Sequence, residues 1–472
     1  MNWALLSVEL GACAWILILL AADLIVPTDR KPSLWALALA GVTLCGGLLI
    51  QQQPLWRGEV FQGMFVVDRF AGYFKSLFLI TAAVVIVMTR EFRRHLPANL
   101  GAFYMLLFSA LLGMLVLASI NDLLMLFLGL ELLTFSLYIM AAYLTTNARS
   151  VEAGMKYLIL GSVSSGFLVY GIALLYGFAG STNFPAIRTA LAGTPLTMSA
   201  HAGMLLVLAG LGFKVAAVPF HLWVPDVYEG APTPVVALLS VGSKMAGVVA
   251  ILRLLYGVFL PLQGLWGGLV AILAAATMLY GNLAAIPQTN IKRLLGYSSI
   301  GHAGYLLMGL STGSWSGAAA VGYYLLAYLF SNLTVFLVVV AASDAVGGET
   351  LDDYKGLSKR SGLLAAAMFI GLLSLAGVPP LAGFVGKLFV LLRTVESRRL
   401  WLVAIGAVNV AISLYYYLMV VKRMYLDGPR TTSPIQVDGL TKIILLALVA
   451  GIFVVGILQE PFLRFITSAI HP

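Results

Sequence analysis

Apolar runs close to 20 residues long recur along the whole chain, residues 4–25 and 100–120 among the clearest. An α-helix rises 1.5 Å per residue, so a run of that length matches the roughly 30 Å hydrocarbon core of a bilayer. Lipid offers the backbone no hydrogen bonds, and helices supply their own. Only 10% of the 472 residues are charged, against roughly a quarter in an average soluble domain. Too little polar side chain is present to coat a water-soluble globule. The fold class is therefore all-α: a polytopic membrane protein whose first partner is the lipid bilayer.

Approximate spans are 3–26, 33–51, 68–89, 99–118, 121–143, 157–178, 202–218, 234–258, 265–285, 293–312, 316–341, 361–378, 381–395, 400–421 and 441–466. Residues 361–378 and 381–395 count as one broken helix, which gives about 14 transmembrane helices. The first run begins at Met1 and the first basic residue is Arg30. A cleavable signal would open with positive charge, so the run reads as a retained helix. Within a single transmembrane domain, 1–472, the divisions are N-terminal helices 1–98, a first repeat 99–258, a second repeat 265–425 and a C-terminal helix 440–472.

The net charge of +9 fits cytoplasmic Lys and Arg in alternate connections. One set contains Arg30, Lys31, Arg90, Arg93, Arg94, Arg149, Lys156, Lys292, Arg293, Lys355, Lys359, Arg360, Lys422, Arg423, Arg430 and Lys442. The opposite set holds fewer, among them Arg57, Arg188, Arg393, Arg398, Arg399 and Arg464. Both termini then face outward. No basic run with interleaved aromatics occurs, so nucleic acid is not an expected partner. Cys13 and Cys45 lie in apolar runs and read as packing residues; two thiolates are too few for an iron–sulfur cluster. No metal-ligand spacing, catalytic triad or phosphate loop appears.

Two spans are interrupted by proline: Gly212-Phe-Lys-Val-Ala-Ala-Val-Pro-Phe-His-Leu-Trp-Val-Pro225 and Leu375-Ala-Gly-Val-Pro-Pro-Leu-Ala-Gly-Phe-Val-Gly-Lys387. Proline removes a helical N–H and frees carbonyls, which in a membrane need protein or water around them. Each break lies four spans into a possible five-span unit. An odd unit inverts its second copy, the pattern of transporters whose broken helices mark an ion path.

Ionisable residues deep in these spans are the functional candidates, since each costs roughly 3 kcal/mol on insertion scales. Glu131 stands midway in 121–143. Lys214 precedes Pro219, and Lys244 lies in Ser-Lys-Met-Ala-Gly, where small neighbours leave room for water. Lys387 follows the second break. Burial disfavours an ammonium and a nearby carboxylate restores it, the opposing pulls a proton-loading site requires. His302 suits a relay through neighbouring hydroxyls, and His221 is a weaker candidate of the same kind. Lys156 and Lys292 open their spans, where snorkelling to the surface is an equal reading. Buried packing or helix bridging remains the plain alternative for each, and Glu9, Asp23 and Lys75 are left structural.

The two breaks, with Gly129-Leu-Glu131, Gly154-Met-Lys-Tyr157, Asn290-Ile-Lys-Arg-Leu-Leu-Gly-Tyr-Ser-Ser299 and Asp353-Tyr-Lys-Gly-Leu357, resemble the antiporter-like membrane subunits of respiratory complex I, the proton-pumping NADH:quinone oxidoreductase. Among these the N type is most similar, since the M type carries glutamate at the position of Lys387. The resemblance covers nearly the whole chain. It implies 14 helices in two inverted five-helix repeats, each with a broken helix. It makes Glu131 and Lys214 the carboxylate–lysine pair of a first half-channel, Lys244 the connecting lysine, His302 a relay and Lys387 the lysine of a second half-channel. Lys156 and Lys292 gain weight as parts of the polar axis. The implied setting is the bacterial plasma (inner) membrane, beside other membrane subunits and, through them, a hydrophilic arm. NADH, FMN, iron–sulfur clusters and quinone are expected in partner subunits, with none in this chain. The alternatives are a cation/proton antiporter subunit, a hydrogenase- or ferredoxin-linked relative, or a joining subunit that conducts nothing.

Overall fold

In the computed structural model, residues 3–470 are described except 28–30, 57, 97–99, 194, 430 and 432. Arg30, Arg57 and Arg430, which entered the orientation argument, lie outside the described residues. Three N-terminal helices, Ser7–Ile25 (α1), Leu34–Gln52 (α2) and Arg69–Glu91 (α3), precede two similar halves. The first half runs Leu100–Ala118 (α4), Leu123–Ala141 (α5), Ala148–Ala179 (α6), Phe184–Gly193 (α7), Met198–Val215 (α8), Trp223–Gly230 (α9), Thr233–Leu238 (α10) and Lys244–Gly257 (α11). The second runs Gln263–Ala285 (α12), Ile291–Ser311 (α13), Trp315–Val346 (α14), Leu357–Arg360 (α15), Gly362–Ala376 (α16), Ala382–Glu396 (α17) and Leu400–Tyr425 (α18). Gly439–Ile457 (α19) and Gln459–Ile470 (α20) close the chain. Among the described residues, 12 helices are long and apolar enough to cross a membrane. Adding α13 and the broken pair α16–α17 makes the elements consistent with fourteen crossings.

Short polar side chains set the helix starts. Asp68, Asp122, Asn147, Asn290, Ser314 and Asp438 each accept a backbone N–H from the first turn of α3, α5, α6, α13, α14 and α19. Such caps satisfy donors that lipid would leave bare.

The halves correspond element by element. Both α6 and α14 have 32 residues and end at a left-handed glycine, Gly180 and Gly347. The loop before α5 bridges the chain after α6, with Leu123 N to Thr182 O at 2.9 Å, and the loop before α13 bridges the chain after α14, with Ile291 N to Glu349 O at 2.8 Å. At the breaks, Ala216 (φ 63) and Gly377 (φ 90) are both left-handed, and Ala217 N to Gly212 O matches Val378 N to Leu373 O. The bonds Val218–Pro219 and Pro379–Pro380 are both cis.

Several expected boundaries change. Residues 441–466 were one span by pattern, but α19 stops at Ile457 and α20 turns away. Pro461 cannot donate into a continuing helix, and it is tolerated in the first turn of a new one. Helix α6 begins at Ala148 because Asn147 caps it, so Lys156 lies two turns inside rather than at the opening. Between α10 and α11 the helix carries a π turn, Leu239–Ser243, immediately before Lys244. Among the described residues a hairpin, Gly58–Val60 (β1) with Phe65–Val67 (β2), departs from all-α structure and supplies backbone partners between α2 and α3.

Ion pairs gather the basic connections onto one end of the bundle. They include Arg90–Asp438, Arg94–Asp344, Lys156–Asp226, Lys292–Glu349 and Arg423–Asp352. This end is called the basic face below. At the opposite face Arg253 makes a two-pronged pair with Asp68, at 2.7 and 2.8 Å. Near that face Lys75, fully buried, pairs with Glu9 at 2.7 Å. Of the two free cysteines, Cys45 is buried and Cys13 sits on an exposed face of α1.

Candidate functional site

The first break places Lys214 in the last turn of α8. Its stem packs against Gly247 of α11, where an added Cβ would stand 3.1 Å from Lys214 Cγ. Its ammonium donates to Thr134 Oγ1 at 3.0 Å and Tyr157 OH at 3.3 Å. Glu131, one turn of α5 before Thr134, accepts from Ser165 Oγ at 2.5 Å. Glu131 and Lys214 form no direct ion pair. Both line one cavity of about 20 Å³, room for a single water.

Lys244 is reached next, on the turn after the π bulge. It donates to the carbonyl and hydroxyl oxygens of Ser299 on α13, and Ser299 Oγ also meets Tyr228 OH at 3.2 Å. A π turn adds a residue to one turn and shifts the helix face that follows. Here it immediately precedes the lysine, whose side chain meets α13.

His302 stands one turn beyond Ser298 on α13, with Nδ1 2.6 Å from Tyr324 OH and Nε2 3.1 Å from Tyr417 OH. Tyr417 OH also joins Ser298 Oγ. A cavity of about 10 Å³ runs between His302 and Lys387 past Tyr328, Ser331 and Ser374. Lys387 lies in the second turn of α17 and reaches back to the break. Its ammonium donates to Ala376 O, at the end of α16, at 2.9 Å and to Ser413 Oγ at 3.5 Å, over the Tyr305 ring at 5.0 Å. Gly377 is required here twice. Its φ of 90° disfavours any side chain, and a Cβ would fall 2.9 Å from Lys387 Cδ.

Lys214, Lys244, His302 and Lys387 are each at most 5% exposed, while Glu131 is half-buried. Together they form a polar row through an apolar interior. The other three candidates lie off that row. Lys156 pairs with Glu152 at 2.7 Å and with Asp226 at 2.6 Å, and Asp226 pairs in turn with Arg293 at 2.7 Å. Lys292 is buried but paired with Glu349 at 2.6 Å. His221 packs edge-on to Tyr280, at 4.3 Å between ring centroids.

Sequence reasoning missed the hydroxyl partners, Thr134, Tyr157, Ser299, Tyr324 and Tyr417, and the acids Asp226 and Glu349. Spacing could have found Asp226: it stands seven residues after Pro219, as Lys387 stands seven after Pro380.

Residues 120–413, which contain this whole row, match the family described as NADH:quinone oxidoreductase/Mrp antiporter, transmembrane. A relative in Desulforamulus reducens, named NADH-quinone oxidoreductase subunit N, is 42% identical across 98% of this chain and 96% of its own length. The chain belongs to the subunit N family of NADH-quinone oxidoreductases. Among solved structures, a chain of respiratory complex I from Thermus thermophilus superposes with a TM-score of 0.82 at 30% identity, covering 97% of this chain and 98% of that one. A chain of an archaeal membrane-bound sulfane sulfur reductase superposes at 0.88 with 26% identity, covering 100% and 97%. The subunit N fold therefore recurs in more than one respiratory membrane complex.

Proposed function

We propose that this chain conducts protons across a bacterial plasma membrane as the N-type, antiporter-like subunit of an NADH-quinone oxidoreductase. Quinone reduction in partner subunits drives it, and NADH, FMN, iron–sulfur clusters and quinone reside in those partners. Its neighbours are other membrane subunits and, through them, a hydrophilic arm. The basic face is cytoplasmic, the termini face outward, and the repeats are 99–258 and 265–425. Glu131, Lys214, Lys244, His302 and Lys387 carry the proton. Lys156 and Lys292 hold the cytoplasmic end in shape, and His221 packs beside the first break.

The observation that carries this reading is the contact of Lys387 with Ala376 O at the broken end of α16. A charged hydrogen bond contributes roughly 1.5–3 kcal/mol and a helix C-terminus up to about 2 more. A mid-membrane charge costs roughly 3. These terms nearly balance, so a small shift of α16 against α17 decides whether the amine keeps its proton. Single waters and hydroxyls bridge the remaining gaps, and no open pore is needed.

The test is Lys387→Ala in the assembled complex. Quinone reductase activity coupled to a lowered proton-to-electron ratio is expected; an undiminished ratio refutes the reading. Flavin, iron–sulfur and hydrophilic subunits should copurify with the chain, whereas an independent antiporter would bring none of them.

A further inference from the structure

A buried polar cluster is left unused by the proposed carriers. Asn282 of α12 and Asn409 of α18 are both almost fully buried, and Asn282 Nδ2 donates to Asn409 Oδ1 at 3.0 Å. Tyr416 OH donates to Asn282 Oδ1 at 3.0 Å. Gly301, beside His302, makes room for that amide, since a Cβ there would stand 2.9 Å from both Asn282 side-chain polar atoms. Buried amides and hydroxyls in apolar helices carry a desolvation cost, and here they continue in two directions. Inward, Tyr416 packs on Tyr417 at 4.5 Å between centroids, and both approach Ser298. Tyr417 reaches His302. Outward, Tyr416 lines a cleft of about 440 Å³ at the basic face, between the α12–α13 connection and the end of α18, bordered by Gln288, Thr289, Asp352 and Arg423.

We propose that this cleft is a separate opening of the proton path from the basic face into the second half, with Tyr416 and Asn282 as its inner gate. It does not pass through either broken helix. A protonated water in the cleft gives a proton to the Tyr416 hydroxyl as that hydroxyl, turned from Asn282 Oδ1 toward Ser298, releases its own. Ser298 and Tyr417 repeat the exchange, and His302 Nε2 receives the last proton. Each hydroxyl ends as it began, and the net change is one proton moved from cleft water to His302. The amides of Asn282 and Asn409 hold the Tyr416 hydroxyl in line.

This rests on His302 and Lys387 being carriers, so the experiment includes Lys387→Ala as its reference. Tyr416→Phe removes one oxygen and keeps the ring. Thr289→Cys, on the exposed rim, takes a bulky charged thiol reagent from the basic side in everted vesicles. Both are expected to slow proton-coupled turnover at least about tenfold in complexes assembled at normal yield, with the unlabelled Thr289→Cys complex fully active. If both leave turnover and the proton-to-electron ratio unchanged while Lys387→Ala loses pumping, the second opening is wrong and the carrier reading stands. If Lys387→Ala also pumps normally, the carrier reading fails first. A Tyr416 that merely packs would lower assembly yield without changing the ratio per assembled complex, and that result overturns the proposal too.

Discussion

Helices α12 and α13 meet backbone to backbone at Gly281, and a single methyl there tests whether packing sets the position of the proposed relay. A Cβ on Gly281 would lie 2.4 Å from Gly301 N and 2.9 Å from both Gly301 Cα and Tyr297 O. Ordinary contacts of this kind lie near 3.5–4.0 Å, so the helices must part by about 1 Å. Overpacking of this sort costs about 1–3 kcal/mol. The gain of up to about 1 kcal/mol that alanine brings to a helix interior offsets only part of it. The displaced groups are those of the proposed relay, since Asn282 and His302 flank the contact on the two helices. A 1 Å misplacement of reacting groups can cost about a hundredfold in rate. Gly281→Ala is therefore expected to lose most proton-coupled turnover while lowering the thermal midpoint of the purified complex only modestly. Gly268→Ala is the internal control, because the same helix offers its Cβ open space, and it should be neutral or slightly stabilising. Turnover and midpoint in Gly281→Ala equal to those of Gly268→Ala would refute the argument.

Three further outcomes follow from the geometry. Glu9→Gln leaves the fully buried Lys75 without its partner, which should cost about 3–5 kcal/mol and deplete the subunit from membranes; Glu9→Gln with Lys75→Met should restore most of it, as measured by assembly yield. Ser165→Ala removes the hydroxyl that holds Glu131 and should lower the pumping rate without changing assembly, read by vesicle acidification at matched complex content. Asp226→Asn leaves Lys156 with Glu152 and Arg293 with Glu229, so a loss of no more than about 1 kcal/mol is expected for these solvent-screened pairs, seen as a stability difference that shrinks at high salt.

The spans and both breaks were legible because their signals are local: about 20 apolar residues in a row, or a proline inside such a run. The lysines were legible for the same reason, as charges where lipid tolerates few. Their partners were not. Tyr157 and Thr134 lie 57 and 80 positions from Lys214, and a tyrosine in an apolar helix looks the same whether its hydroxyl serves a lysine or only packs. The π turn before Lys244 left no trace either, since Leu-Ser-Val-Gly-Ser is an ordinary helical stretch by composition. Lys156 and Lys292 looked alike at the sequence level, but each also takes an acid from a distant segment, Asp226 and Glu349, and one ends half-exposed and the other buried.

A scaffold made of two inverted copies would look the same to an ion arriving from either side, and so could not tell forward from backward. The exchange of residue type at one matched position removes that sameness. Where the second copy has Lys387, the first has Asp226, an acid tied to Lys156 and Arg293 at the basic face. One copy thus holds a lysine beyond its kink and the other an aspartate, so the two ends of the molecule are chemically unlike before any fuel is supplied, and the fuel then sets the direction of travel.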